Sequence, residues 1–387
     1  MSVSMNPPIS MRAWLAGARR KEPALIEFTR QLVVAESPSE EKAAVDGCIA
    51  LAAARARELG GRVKLHRQRA FGDVLEARFG PKSKNGAAGR TLLLGHLDTV
   101  WPLGTLKTMP WRRSEGRLWG PGTLDMKGGV AMALTAIEML SEAGLPDREI
   151  VLLLTGDEEV GSPVSRPLIE ELASEASAVY VLEPAQGLAY KSSRKGVGQW
   201  RIEVRGVAAH AGVDFEKGAS AILELARVIE RVSGWSDRER GVTVSVGVAG
   251  GGSKSNVIPA KAWAEVDVRI VCKADARGME RRFAALKPVD KRCTLTVSGG
   301  INRPPMERRR GTVKLYQRAK ALAAEVGFAL EEASTGGGSD GNFSAALGIP
   351  TLDGMGAVGE GAHARHESIL VEQLALRTAL LAGMLAE

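Results

Sequence analysis

Three short, almost wholly apolar runs constrain what this chain can become: TLLLG at 91–95, IVLLLTG at 150–156 and AVYVL at 178–182. Each has the length of a buried strand, and helical patterns separate them, VAMALTAIEMLSEAG after Gly129 and a second near 164–175. Alternation of this kind builds an α/β fold, a mostly parallel sheet with helices on both faces. Each run also ends on chemistry. His96 and Asp98 follow the first, Glu158 and Glu159 the second, and Glu183 the third, at the strand ends where α/β folds assemble their sites.

Around this centre the pattern predicts a helix over 10–35 and a second opened by Ser37, Pro38 and Glu40 as an S-x-x-E capping box, stopping at Gly60-Gly61. Strands are expected at about 62–68 and 72–79, then a polar loop, PKSKNGAAGR. After Tyr190 the rhythm changes. GQWRIEVRGVA, VTVSVGVAGG, AWAEVDVRIV and CTLTVSG alternate as half-buried strands, and helices fall at GASAILELARVIERVSGW and 274–287. The order is βαββαβ, a ferredoxin-like unit inserted into the first domain. The expected division is 1–190, 191–302 and 303–387, the last opening on a long helix, GTVKLYQRAKALAAEVG.

Composition excludes several classes. With 44% apolar and 25% charged residues the chain reads as globular, and no apolar run approaches the ~20 residues of a membrane helix. The start lacks an adequate apolar segment for secretion, and Cys48, Cys272 and Cys293 make neither a disulfide framework nor a CxxC site. Both point to the cytoplasm. A net charge of +7 raises nucleic acid as a partner, but the basic residues are scattered and aromatics are only 4%, so a solvated surface or steering of an anionic substrate is the better reading.

A lone histidine after a strand is ordinarily structural. Here His96 keeps company with Asp125 in GPGTLDMKGG, Glu159, Glu183 and His363 in GEGAHARHES. Two histidines and three carboxylates, with no cysteine, suit Zn²⁺, with Co²⁺ or Mn²⁺ possible. Asp125 is assigned as the bridge between two ions, with His96 and Glu183 on one and Glu159 and His363 on the other. Glu158 is left as the proton shuttle and Asp98 as a partner of the His96 ring. His366 is an alternative to His363 on spacing alone. The Gly336–Gly338 run fits neither a Walker loop nor a dinucleotide fingerprint, and Gly337 is expected where backbone amides approach a substrate.

HLDTV, GPGTLDMKGG, TGDEEVGS, LEPA, RGVAAHAG, SNVIPA, TGGGSDGNF and GEGAHARHES, in this order from about Ser37 to Leu370, resemble the motifs of the cocatalytic-zinc exopeptidase and deacylase family. That family includes glutamate carboxypeptidase, acetylornithine deacetylase, succinyl-diaminopimelate desuccinylase and aminoacylase. The resemblance implies two zinc ions per subunit, a cis peptide after Asp125, His363 over His366, and an inserted domain serving as lid and homodimer interface. It also implies that His210 stabilises an oxyanion, in its own or a partner subunit, and that Asn256, Arg303 and, more weakly, Arg269 bind substrate.

The expected function is hydrolysis of a peptide or N-acyl amide bond next to a free carboxylate. TGGGSDGNF and the NRPP element favour a carboxypeptidase releasing a C-terminal residue such as glutamate; the alternative is an N-acyl-amino-acid deacylase. A catalytically silent binding protein on the same scaffold is disfavoured by retention of all five ligands and Glu158.

Overall fold

The computed structural model describes residues 9–82, 89–144 and 148–386. The chain divides into two compact units, one holding the residues up to Ser193, Arg308–Ser334 and those from Ser339 onward, the other Arg194–Glu307 with Thr335–Gly338.

The first unit is built on a six-stranded sheet in the order Arg62–His66, Val74–Phe79, Glu149–Thr155, Arg90–His96, Ala178–Val181, Thr351–Leu352. The first three are joined antiparallel and the last four run parallel. Because side chains alternate across a strand, Leu92, Leu94, Val151, Leu153, Val179 and Val181 bury on one face with Ile169, Leu172 and Phe343. Leu93, Leu152, Leu154 and Tyr180 bury on the other with the helices Met11–Val34, Gly128–Ala143 and Val371–Ala386. Both faces are covered, which is why these strands read as continuous apolar runs. Gly129 lets the helix Gly128–Ala143 approach the sheet: a Cβ there would lie 2.2 Å from the Leu182 carbonyl oxygen.

The second unit holds an antiparallel sheet in the order Thr243–Gly251, Lys261–Ile270, Gly196–Arg205, Thr294–Arg303. With the helices Ala221–Ser233 and Lys273–Ala284 its chain order is βαββαβ. One sheet face carries Ile202, Val204, Ala264, Val266 and Val268 into its core, and Trp200 stacks on Phe283 with centroids 4.2 Å apart. A short ribbon pairs Ala209–His210 with Val257–Ile258.

Two local expectations change. The helix after Ser37 begins only at Lys42, and no side-chain bond caps it. Ser37 is buried and donates instead to the Leu97 carbonyl, while Pro38 bridges to Thr99, so this segment is stitched to the end of the central strand. Thr335–Gly338 falls with the second unit, where Lys195 N–H donates to the Thr335 carbonyl. Of the polar loop, residues 83–88 lie outside the described residues. Among the described residues no helix is long and apolar enough to cross a membrane.

Candidate metal centre

The parallel register sets the end of Arg90–His96 beside the end of Glu149–Thr155, with His96 opposite Thr155, and Leu94 opposite Val181 brings the Glu183 turn alongside. His96 Nδ1–H donates to the Asp98 carbonyl at 3.0 Å, which leaves Nε2 facing Asp125 Oδ1 at 3.2 Å and Glu183 Oε1 at 3.7 Å. On the other side of the same carboxylate, His363 Nε2 lies 3.4 Å from Asp125 Oδ2 and 3.1 Å from Glu159 Oε2. The two oxygens of Asp125 thus face different histidines. The ligating atoms of His96, Asp125 and Glu159 all lie within 4.8 Å of one another, as do those of His96, Glu158 and Glu183.

Asp98 is fully buried and orders the acidic turn. Its Oδ1 accepts from Glu158 N–H at 3.2 Å, and its Oδ2 accepts from Glu159 N–H at 3.1 Å and Ser39 Oγ–H at 2.7 Å. The Asp125–Met126 peptide is cis, and His363 sits in the left-handed region at φ 61°, a conformation that costs a non-glycine residue ~1 kcal/mol or more. It is His363, and not His366, that meets Asp125 and Glu159.

The electrostatics follow from this packing. Burial opposes charge on His96, yet Asp125 and Asp98 outweigh it and hold its pKa well above the ordinary value. Asp125 and Glu159 raise His363 to about 10. Asp125, though buried, is held below the usual carboxylate range by the two imidazoles, whereas burial pushes Glu159 up. Glu159 Oε1 is buried with no hydrogen-bond partner, an unmade interaction that a cation would satisfy. Nitrogen and carboxylate donors around a divided aspartate fit two divalent ions of the zinc type.

The remaining predicted site residues belong to the second unit. His210 Nδ1 accepts from Gly212 N–H at 3.2 Å, and Ala211 N–H donates to the Asn256 carbonyl at 3.0 Å, so the ribbon sets His210 and Asn256 side by side. Arg303 is buried, and a Cβ on Gly338, next to Gly337, would lie 2.7 Å from its Cδ. Arg269 is engaged with Asp267 at 2.8 and 2.9 Å.

Sequence reasoning missed Glu367. Buried under the Asp125 loop, its carboxylate accepts from Leu124 N–H at 2.8 Å and Asp125 N–H at 3.1 Å through Oε1, and from Gly122 N–H and Trp101 Nε1–H, both at 2.9 Å, through Oε2. Its one sequence signal is its place four residues after His363.

A mixed α/β unit whose strand ends gather two histidines and several carboxylates around one divided aspartate defines a metallohydrolase. Residues 92–387 match peptidase family M20/M25/M40. The chain is 31% identical over 354 residues to carboxypeptidase G2 of Pseudomonas sp. (strain RS-16), covering 89% of this chain and 84% of that protein. It is also 31% identical over 330 residues to succinyl-diaminopimelate desuccinylase of Cereibacter sphaeroides, covering 78% and 83%. In fold it is similar to aminopeptidase PepT of Bacillus cereus, with a TM-score of 0.77, 23% identity and coverage of 94% and 98%. The chain belongs to peptidase family M20/M25/M40 and is a metallopeptidase or deacylase of that family.

Proposed function

We propose that this protein is a dinuclear zinc carboxypeptidase that cleaves a peptide-like amide next to a free carboxylate and releases a C-terminal amino acid such as glutamate. One observation carries the reading: Asp125 presents one oxygen to His96 and the other to His363. His96, Asp125 and Glu183 would hold one ion, and Asp125, Glu159 and His363 the other. When bound, the ions supply Lewis acidity to the scissile carbonyl and lower the pKa of a water. Glu158 takes the proton of the attacking water on its carboxylate and returns it to the leaving nitrogen. Asp98 keeps the Glu158–Glu159 turn and the His96 ring in place through the bonds described above.

In the second unit we propose His210 as the oxyanion partner, and Asn256, Arg303, Arg269 and the amides near Gly337 as substrate contacts. Arg303 suits a carboxylate because a guanidinium makes two parallel hydrogen bonds to it. We further propose a cytoplasmic homodimer. The desuccinylase relative supports a second reading, an N-acyl-amino-acid deacylase using the same residues. A hydrolysis panel of dipeptides and N-acyl amino acids with zinc-loaded protein separates the two. Glu158→Gln should abolish turnover with metal content intact; persisting turnover would remove Glu158 from the proton path.

A further inference from the structure

Beside the metal centre, and wholly within the first unit, lies a cavity of about 300 Å³, large enough for one amino-acid side chain with its backbone. Glu159, a proposed metal ligand, forms part of its wall, so the cavity borders the proposed metal centre. Its apolar surface comes from side chains that the fold leaves unburied: Val100 is 42% exposed, Leu103 55% and Val160 42%. Three large aliphatic groups converging on one concavity beside a site mark a binding surface.

The cavity is preformed. Its floor is the stitch between two backbone segments, with Ser39 N–H donating to the Thr99 carbonyl at 3.2 Å and Thr99 N–H to the Ser37 carbonyl at 2.8 Å. Its outer wall is pinned by Glu36, whose carboxylate accepts from Gly104 N–H at 2.8 Å and Leu106 N–H at 2.9 Å.

Its charge is one-sided. Glu40 and Glu41 carry its negative charge beside the proposed metal ligand Glu159, and among the described residues no lysine, arginine or histidine lines it. The nearest cation in sequence, Lys42, is engaged with Asp46 at 2.8 Å and Asp73 at 2.7 Å. An acyl group ending in a carboxylate, such as succinyl, would meet the like charge of Glu40 and Glu41 at this rim. An aliphatic residue carrying an ammonium group would satisfy both the apolar wall and the acidic rim.

Building on the function proposed above, we infer that this cavity receives the amino-side residue of the substrate and selects an aliphatic residue with a free α-amino group. The substrate class is therefore short peptides with an unblocked, apolar N-terminal residue, in preference to anionic N-acyl amino acids.

The test compares leucyl and succinyl compounds sharing one C-terminal residue, in zinc-loaded wild type and in a Glu40→Gln/Glu41→Gln double variant. Both side chains are exposed, and a thermal melt checks that the variant folds. The leucyl compound should have the higher kcat/KM, and the double variant should cut its advantage about 5- to 10-fold, as two exposed charge pairs would, through KM with kcat held. A preference for the succinyl compound, or a ratio the variant leaves alone, overturns the proposal. Calorimetric binding of leucinamide against succinamate reads the cavity without turnover. If nothing in the panel is hydrolysed, the function proposed above fails. In that case leucinamide binding weakened by the double variant still upholds the cavity, and absent binding rejects it.

Discussion

Glu367→Gln should loosen the loop that presents Asp125. The wild-type carboxylate offers two oxygens, each accepting two N–H groups. An amide keeps one oxygen and turns its nitrogen toward the other pair, so two buried donors lose their acceptor. A donor orphaned in this way costs ~1–3 kcal/mol, giving ~2–6 kcal/mol for the pair. Some of this returns, because burial raises the Glu367 pKa despite its four donors. A carboxyl raised in the folded state contributes stability below its unfolded pKa that is lost as pH rises through the folded value, so at neutral pH its charge is a cost that the amide removes. The expected net loss is ~2–4 kcal/mol by urea unfolding followed by tryptophan fluorescence. Zinc affinity measured against a competing chelator should fall ~10–100-fold, the usual penalty for losing a ligand's support. Glu367→Asp keeps both oxygens on a shorter arm and should fall between. Stability within ~0.5 kcal/mol of wild type together with unchanged zinc affinity would show that Glu367 does not hold Asp125 in place.

Gly129→Ala should destabilise by ~1–3 kcal/mol or more by overpacking, since its Cβ would press on the Leu182 carbonyl; a neutral change by thermal melt would contradict that close approach. After chelator treatment, His363 stays protonated up to about 10 and contributes stability that is complete below pH ~6.5 and lost as pH rises through about 10. Zinc uptake must expel that proton. Calorimetry at pH 7 in buffers of different ionisation enthalpy should show proton release, and affinity should rise with pH; no release would refute the assignment of His363.

The parallel sheet was legible because both its faces are covered, so Leu92–Leu94, Val151–Leu154 and Val179–Val181 are apolar without alternation. The polar residues terminating those strands were legible for the same reason: His96 and Glu159 interrupt hydrophobic runs, and burial makes polarity conspicuous there. Glu367 was not, because its partners lie 242 to 266 residues away and nothing local in HARHES announces a carboxylate turned inward. The capping box at Ser37 misled because the motif describes a hydroxyl free to fold back on its own helix, and burial commits this one to the Leu97 carbonyl. Thr335–Gly338 leaves the first unit because its partners, Lys195 and Arg194, are remote in the chain.

The proposed centre depends on Asp125 being shared by two ions. The most direct measurement is zinc stoichiometry, by equilibrium dialysis and elemental analysis, of wild type beside Asp125→Ala, Glu183→Ala and Glu159→Ala. Wild type should hold two equivalents, either glutamate variant one tight equivalent, and Asp125→Ala neither tightly. A single equivalent in wild type, or an Asp125→Ala protein that still holds two, would contradict that sharing.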